Sequence, residues 1–152
     1  MTTYETIRTG FGSAVPFAEH TGIEVIEVGA GFGVAQLKDA SQVRNHIGSV
    51  HAGAVFTLGE TASGVAMLGA FADQVASIRP VTVEVTVSYL KMARGTLTAT
   101  ARTVVPAEQL QSDLAGHGRA TFDITVDISN DSAVTVAQLI ARWVVSMSKS
   151  TT

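Results

Sequence analysis

The chain has 152 residues, 46% hydrophobic and 15% charged, with a net charge of −3. This length fits one domain over residues 1–152 that can bury a sizeable core, and the composition argues against disorder. The acidic balance, without a basic face, argues against a nucleic-acid partner bound by bulk electrostatics. The absence of cysteine excludes disulfides, thiolate nucleophiles and cysteine-ligated zinc.

The first half of the chain predicts a helical lead-in and a β-hairpin. Residues 4–20 read as a short helix broken by two glycines and a proline. Two strands over residues 23–38 follow, with a hairpin turn at 29–31. A polar loop over residues 39–48 then leads into the longest element of the chain.

That element is a predicted helix from about Val50 to Phe71. Its only formal charge is Glu60, and apolar residues occur on every side of the helical wheel, which indicates a helix buried all round. A lone carboxylate in such a helix is costly unless it has partners or a task. Glycines recur every five residues and indicate that backbone approaches backbone, as in a sheet wrapped tightly round the helix. These glycines are Gly59, Gly64 and Gly69.

Neither a secretion signal nor a membrane span is expected. The first residues lack the apolar stretch of a signal peptide. The long helix could span a bilayer by its length, but Glu60, four glycines and three hydroxyl residues dilute it, and strand-like stretches surround it. We therefore expect a cytoplasmic protein without a membrane partner.

Four strands are predicted after the helix. Residues 81–89 alternate strictly, which predicts one buried face carrying the valines and one polar face carrying Thr82. The remaining segments are strands at 97–105, 120–128 and 137–147 and a short helix or long connection at 106–114. This order lacks βαβ alternation. It predicts an α+β fold in which one six-stranded, largely antiparallel sheet curls round one buried helix.

The start of the long helix suits the binding of an oxyanion. Its first backbone N–H groups lack intrahelical partners, and the helix dipole is positive there. The small residues Ala52 and Gly53 allow a ligand carbonyl to approach these N–H groups. Glu60, as the only acid on the helix, could serve acyl-transfer hydrolysis as nucleophile or general base.

One helix cannot bring its own start to Glu60. His51 and Glu60 are nine positions apart, which places them about 900° apart round the helix, on opposite faces, and roughly 13 Å apart along the axis. In a symmetric pair of chains, the start of one helix could face the carboxylate of the other. The spacing therefore favours a homodimer, or a dimer of dimers, if the two features form one site.

The order of elements and the pattern Asn45…His51-Ala52-Gly53…Glu60 resemble the hotdog-fold acyl-CoA thioesterases. The resemblance is to the phenylacetate-pathway and 4-hydroxybenzoyl-CoA thioesterase branch, and it covers most of the chain. It implies the hotdog fold, hydrolysis of an acyl-CoA to the free acid and coenzyme A, and a site at a dimer interface. Coenzyme A would be part of the substrate, and no other cofactor is expected.

The resemblance also implies roles for individual residues. Glu60 would activate water or attack the thioester carbonyl, with Thr82 of the same chain near the attacking water. From the other chain, Asn45 would help to hold the water or the carboxylate, and His51 matches the histidine of the family's His-Gly-Gly turn. The N–H of Ala52 would polarise the thioester carbonyl. Relatives have glycine at that position. If the turn requires a positive φ there, the side chain of Ala52 would be strained.

Structural alternatives remain open for these residues. Glu60 could be a buried structural carboxylate bonded to Asn45 or a backbone amide, and Asn45 could be a loop or capping residue. His51 could be a helix-start residue, and Thr82 a residue of the polar strand face. At the level of function, the alternatives are a non-catalytic acyl-CoA-binding module and a hotdog dehydratase or hydratase, which would pair a histidine early in the helix with an acid.

Three further residues are candidates for the rim of the site. His46 is expected to be structural or to line the entrance rather than to catalyse. Lys91 and Arg94 could meet the phosphates of coenzyme A or could be a solvated strand end. The four histidines lack a short metal-ligand spacing, so no metal is predicted.

Overall fold

The computed structural model describes residues 1–149. In chain order the elements are α1 (Thr3–Ala14), α2 (Pro16–Thr21), β1 (Ile23–Gly29), β2 (Phe32–Leu37), α3 (Ala52–Ala70), β3 (Ile78–Tyr89), β4 (Leu97–Thr103), α4 (Ala107–His117), β5 (Arg119–Ser129) and β6 (Thr135–Met147). The six strands form one sheet in the order β1-β2-β4-β5-β6-β3, and all neighbouring pairs are antiparallel. The predicted sheet round one long helix is confirmed.

Helix α3 is buried against the sheet along most of its length. The core lies between the two and includes Leu58, Val65, Leu97, Ile124 and Leu139. Such all-round burial explains why the helix has no polar stripe in its sequence. Within residues 1–149, no helix is both long enough and apolar enough to cross a membrane.

The glycines of α3 have different neighbours. A Cβ at Gly69 would overlap the carbonyl oxygen of Gly29, so β1 and the helix meet there backbone to backbone. A Cβ at Gly59 would lie 2.6 Å from a methyl carbon of Leu139, and one at Gly64 would have only ordinary contacts. The expected close approach of backbones is therefore found at Gly69 and not at the other two positions.

The predicted phase of β3 is reversed up to Val83 and correct beyond it, where Val85 and Val87 pack against the core. The register of β3 against β6 shifts between Thr82 and Glu84, which marks a β-bulge at Val83. Because of the extra residue, Val85 packs against the core, but Val81 and Val83 are 45% and 55% exposed. Thr82, expected on the polar face, is instead half-buried on the side of the helix.

Two helix boundaries also differ from the predicted ones. The N-terminal lead-in breaks only before Pro16, so Gly10 and Gly12 lie inside α1. The second short helix, α4, extends to His117, and Pro106 is its N-cap rather than its first helical residue. Neither difference changes the positions of the strands around α3.

Candidate active site

The chain enters α3 through a tight loop, residues 45–49, that is organised by Asn45. The Oδ1 atom of Asn45 accepts hydrogen bonds from the backbone N–H groups of Ile47 and Ser49, both at 3.1 Å. Its Nδ2 donates to Oγ of Ser49 at 2.7 Å. Asn45 therefore stabilises the loop, which is the structural alternative that the sequence left open. Because an amide nitrogen carries two hydrogens, one donor remains for a ligand, and a catalytic role for Asn45 stays a prediction.

His51 is the N-cap of α3. Its Nδ1 atom accepts a hydrogen bond from the backbone N–H of Gly53 at 2.8 Å. This N–H was expected to be open to a ligand carbonyl, but the imidazole occupies it. The hydrogen bonds found within residues 1–149 include none donated by the N–H of Ala52. Ala133 is the one described non-glycine residue with a positive φ, so Ala52 is unstrained.

Tyr89, the last residue of β3, also contacts the start of α3. Its hydroxyl donates a hydrogen bond to the carbonyl oxygen of Ala52 at 3.0 Å. The sequence pattern places Tyr89 only on the valine face of a strand. Its role at the helix depends on which strand end lies beside which helix end, and no local pattern contains that information.

Glu60 lies about two turns further along α3, on the side of β3, and is half-buried. The hydroxyl of Thr82 donates to Oε1 of Glu60 at 3.4 Å. Burial raises the pKa of Glu60 above its ordinary value, and the hydrogen bond from Thr82 opposes this rise. A desolvated carboxylate with a raised pKa is well suited to accept a proton from water.

A buried network holds the helix turn that carries Glu60. The indole Nε1 of Trp143 donates to Oγ of Ser63 at 3.1 Å, and that hydroxyl donates to the backbone oxygen of Glu60 at 2.7 Å. Trp143 is also the cross-strand partner of Thr82. Strands β3 and β6 thus position both parts of Glu60: Thr82 contacts the carboxylate, and Trp143 holds the backbone oxygen through Ser63. Ser63 and Trp143 are 80 positions apart, so no local sequence pattern predicts their contact.

Two open cavities flank the start of α3. The first, of about 420 Å³, is lined by residues that include Asn45, Ala52, Tyr89, Lys91 and Met92. The second, of about 530 Å³, is lined by residues that include Phe17, His20, His51, Gly53 and Thr57. The helix start is therefore accessible from both sides.

The predicted rim residues occupy different positions. Lys91 is exposed and lines the 420 Å³ cavity, where a phosphate could reach it. Arg94 is exposed too, but its Nη2 lies 3.1 Å from Sδ of Met92. His46 is exposed in the 45–49 loop.

Within one chain the predicted site remains in two parts. Asn45, His51 and Ala52 gather at the start of α3, whereas Glu60 and Thr82 form a pair further along the helix. The rise of the helix separates Ala52 from Glu60 by about 12 Å along the axis. This is the division that the helical spacing in the sequence predicts.

Known structures share this architecture. A probable thioesterase of unknown function from Pseudomonas aeruginosa is 26% identical, covers 97% of both chains and has a TM-score of 0.83. A hypothetical thioesterase from Streptococcus pneumoniae TIGR4, solved with coenzyme A, is 24% identical over 84% of this chain and 88% of that chain, with a TM-score of 0.65. The PaaI protein of the Escherichia coli phenylacetic acid degradation operon is 24% identical over 89% and 92%, with a TM-score of 0.68.

The fold is the hotdog fold of thioesterase-family proteins, and the resemblance found in the sequence is confirmed. The chain belongs to the family described as domain of unknown function DUF4442, whose model matches residues 3–145. A search of curated proteins finds no match.

Proposed function

We propose that this protein hydrolyses the thioester of an acyl-CoA to the free acid and coenzyme A. The observation that carries the proposal is the half-buried carboxylate of Glu60, whose pKa is raised and whose Oε1 accepts a hydrogen bond from Thr82. Similarity to a probable thioesterase supports the reaction class. The coenzyme A in the structure of the hypothetical thioesterase from Streptococcus pneumoniae supports the carrier.

In the proposed reaction, ionised Glu60 accepts a proton from a water molecule whose oxygen attacks the thioester carbonyl carbon. The carbonyl oxygen becomes an oxyanion and accepts a hydrogen bond from the N–H of Ala52, at the positive end of the α3 dipole. The carbon–sulfur bond then breaks, and the leaving thiolate takes the proton from Glu60. Alternatively, Glu60 attacks the carbonyl carbon directly, the carbon–sulfur bond breaks and the thiolate leaves; water then hydrolyses the resulting anhydride to the free acid and ionised Glu60, and the proton released neutralises the thiolate.

A second copy of the chain completes the proposed site, as a homodimer or within a dimer of dimers. The start of α3 in one copy would face Glu60 of the other, because the two features are separated within one chain. Strand β3 ends the sheet and exposes Val81 and Val83. An edge strand of 12 residues with exposed apolar side chains is suited to pair with another strand.

The test is steady-state hydrolysis of a panel of aliphatic and aromatic acyl-CoA substrates by wild type and Glu60→Gln. We expect kcat to fall by about 100-fold or more, because the amide cannot accept the proton. Glu84→Gln, an exposed acid on β3, is the matched control. Equal rates in Glu60→Gln would contradict the mechanism. Saturable acyl-CoA binding without turnover in wild type would instead indicate the binding module.

A further inference from the structure

We infer that His51 and Tyr89 are positioning residues that leave one backbone N–H, that of Ala52, open to the substrate carbonyl. The inference rests on the proposed function and extends it to residues with no assigned role in orienting the oxyanion donor. Its basis is a complete account of the donors in the first turn of α3.

The first four N–H groups of a helix, counted from its N-cap, lack ordinary intrahelical partners, and in α3 these belong to residues 51–54. The N–H of His51 itself donates to the carbonyl oxygen of Val43 at 2.8 Å. His51 accepts from two of the others: its Nδ1 from Gly53 at 2.8 Å and its carbonyl oxygen from Ala54 at 2.9 Å. Ala52 keeps the remaining donor, so the four N–H groups are reduced to a single open one.

Tyr89 fixes the peptide group next to that donor. The peptide between Ala52 and Gly53 carries the Ala52 carbonyl, which accepts from the Tyr89 hydroxyl at 3.0 Å, and the Gly53 N–H, which is bonded to His51. Both ends of this peptide are therefore held by side chains. We call this arrangement the clamp. Ala52 is exposed and lines the 420 Å³ cavity, so we expect a ligand in this cavity to reach its open N–H.

The anchors of the clamp lie in different parts of the fold. The backbone N–H of His51 donates to the carbonyl oxygen of Val43 at 2.8 Å, and Tyr89 ends β3. The start of α3 is thus tied on one side to the preceding loop and on the other to the edge strand. Because Nδ1 of His51 accepts a hydrogen bond, the neutral imidazole carries its proton on Nε2.

A clamp of this kind acts on the transition state more than on the bound substrate. The donor must meet the oxygen where the tetrahedral intermediate places it, and a small misplacement weakens this contact selectively. Loss of the clamp should therefore lower kcat and leave KM nearly unchanged. A residue that contributes only to overall stability would not give this division between the two constants.

The first experiment compares Tyr89→Phe with Tyr4→Phe, which changes the chain's other tyrosine, on α1. Tyr89→Phe removes the hydroxyl alone. We expect kcat for acyl-CoA hydrolysis to fall about tenfold with KM within about twofold, and Tyr4→Phe to match wild type. An unchanged kcat in Tyr89→Phe, in an enzyme that Glu60→Gln inactivates, would overturn the inference and leave the proposed function intact.

The second experiment compares His51→Asn with His51→Ala, with His117→Ala as the control. Asparagine caps a helix through its side-chain oxygen and alanine does not. We expect kcat of His51→Asn to stay within about threefold of wild type and that of His51→Ala to fall at least about tenfold. Equal loss in both variants would show that the imidazole acts by its own chemistry, which overturns the capping role.

Amide hydrogen exchange tests the clamp without any activity. The Gly53 amide should be protected in wild type and His51→Asn and unprotected in His51→Ala, while the Ala52 amide exchanges freely in all three. A Gly53 amide as unprotected as that of Ala52 in wild type would overturn the clamp. Protected Gly53 in a protein that hydrolyses no acyl-CoA would overturn the proposed function and, with it, the catalytic purpose of the clamp.

Discussion

The hydroxyl of Thr82 lies 3.4 Å from Oε1 of Glu60 because the bulge at Val83 turns Thr82 towards α3. A threonine on the outer face of β3 could not make this contact. The bulge thus gives the candidate general base its one side-chain hydrogen bond among the described residues. β-Bulges commonly redirect a side chain beside an active site.

The first prediction follows from this hydrogen bond. It favours the ionised form of Glu60 and so lowers its pKa against the effect of burial. In the proposed mechanism ionised Glu60 is the active form, so we expect the rate to rise with pH through this pKa. In Thr82→Val the pKa should rise further, and the acid limb of the kcat/KM profile should move to higher pH. Thr86→Val, on the exposed face of β3, is the control, and an acid limb that stays in place would count against the role of Thr82.

The second prediction concerns Ala52→Pro. Proline is tolerated at the first helical position and has no N–H, and the ψ of 138° at His51 suits a residue before proline. The fold should therefore persist while kcat falls about 100- to 1,000-fold, as for loss of an oxyanion donor. Ala107→Pro, at the first residue of α4, makes the same change at a remote helix. Full activity in a folded Ala52→Pro variant would exclude this N–H from the reaction.

The third prediction tests whether the site is shared between chains. Co-expression of Ala52→Pro with Glu60→Gln gives mixed dimers in which one chain supplies an intact helix start and the other an intact carboxylate. Random pairing should restore about a quarter of wild-type activity, since half of the dimers are mixed and each has one intact site. If each site lay within one chain, every site would carry a defect and activity would not return.

The fourth prediction contrasts two helical glycines. Gly69→Ala places a Cβ against the carbonyl oxygen of Gly29, and we expect it to lower the free energy of unfolding by about 1–3 kcal/mol or more. Gly10→Ala, where a Cβ would meet nothing within 4 Å, should raise it by about 1 kcal/mol through helix propensity. Urea denaturation measures both. Equal stabilisation by the two substitutions would show that α3 has room at Gly69.

The sequence predicts the architecture well because its signals are local. The charge-free stretch around Glu60 identifies α3, and alternation identifies the strands after it. The bulge at Val83 is not predictable from local signals, because apolar and polar residues alternate without a break through residues 81–89. The bulge is visible only in the pairing of β3 with β6, where the register shifts between Thr82 and Glu84. The phase of the strand before the bulge, and hence the direction of Thr82, was reversed for that reason.

The candidate site also combines features that the sequence predicts locally with contacts that it does not. The spacing of the helix start and Glu60 along one helix was readable, because a helix has a fixed rise and rotation. The bond from Tyr89 to Ala52 and the bond from Trp143 to Ser63 join residues 37 and 80 positions apart. Such contacts depend on the packing of strand ends against α3, which local patterns do not specify.

For the proposed hydrolysis of acyl-CoA, the close packing of α3 limits how the substrate preference could change. Gly69 lies against the backbone of β1, and a Cβ added at Gly33 would lie only 2.8 Å from the backbone nitrogen of Ala66, so α3 has little room to shift against the sheet. Room can be made only by side chains that are free to change. Around the 420 Å³ cavity these include Ile47, Leu90 and Met92, each about half exposed. Divergence in substrate range would therefore accumulate in the loops around the helix start, while the spacing of the reacting groups stays fixed.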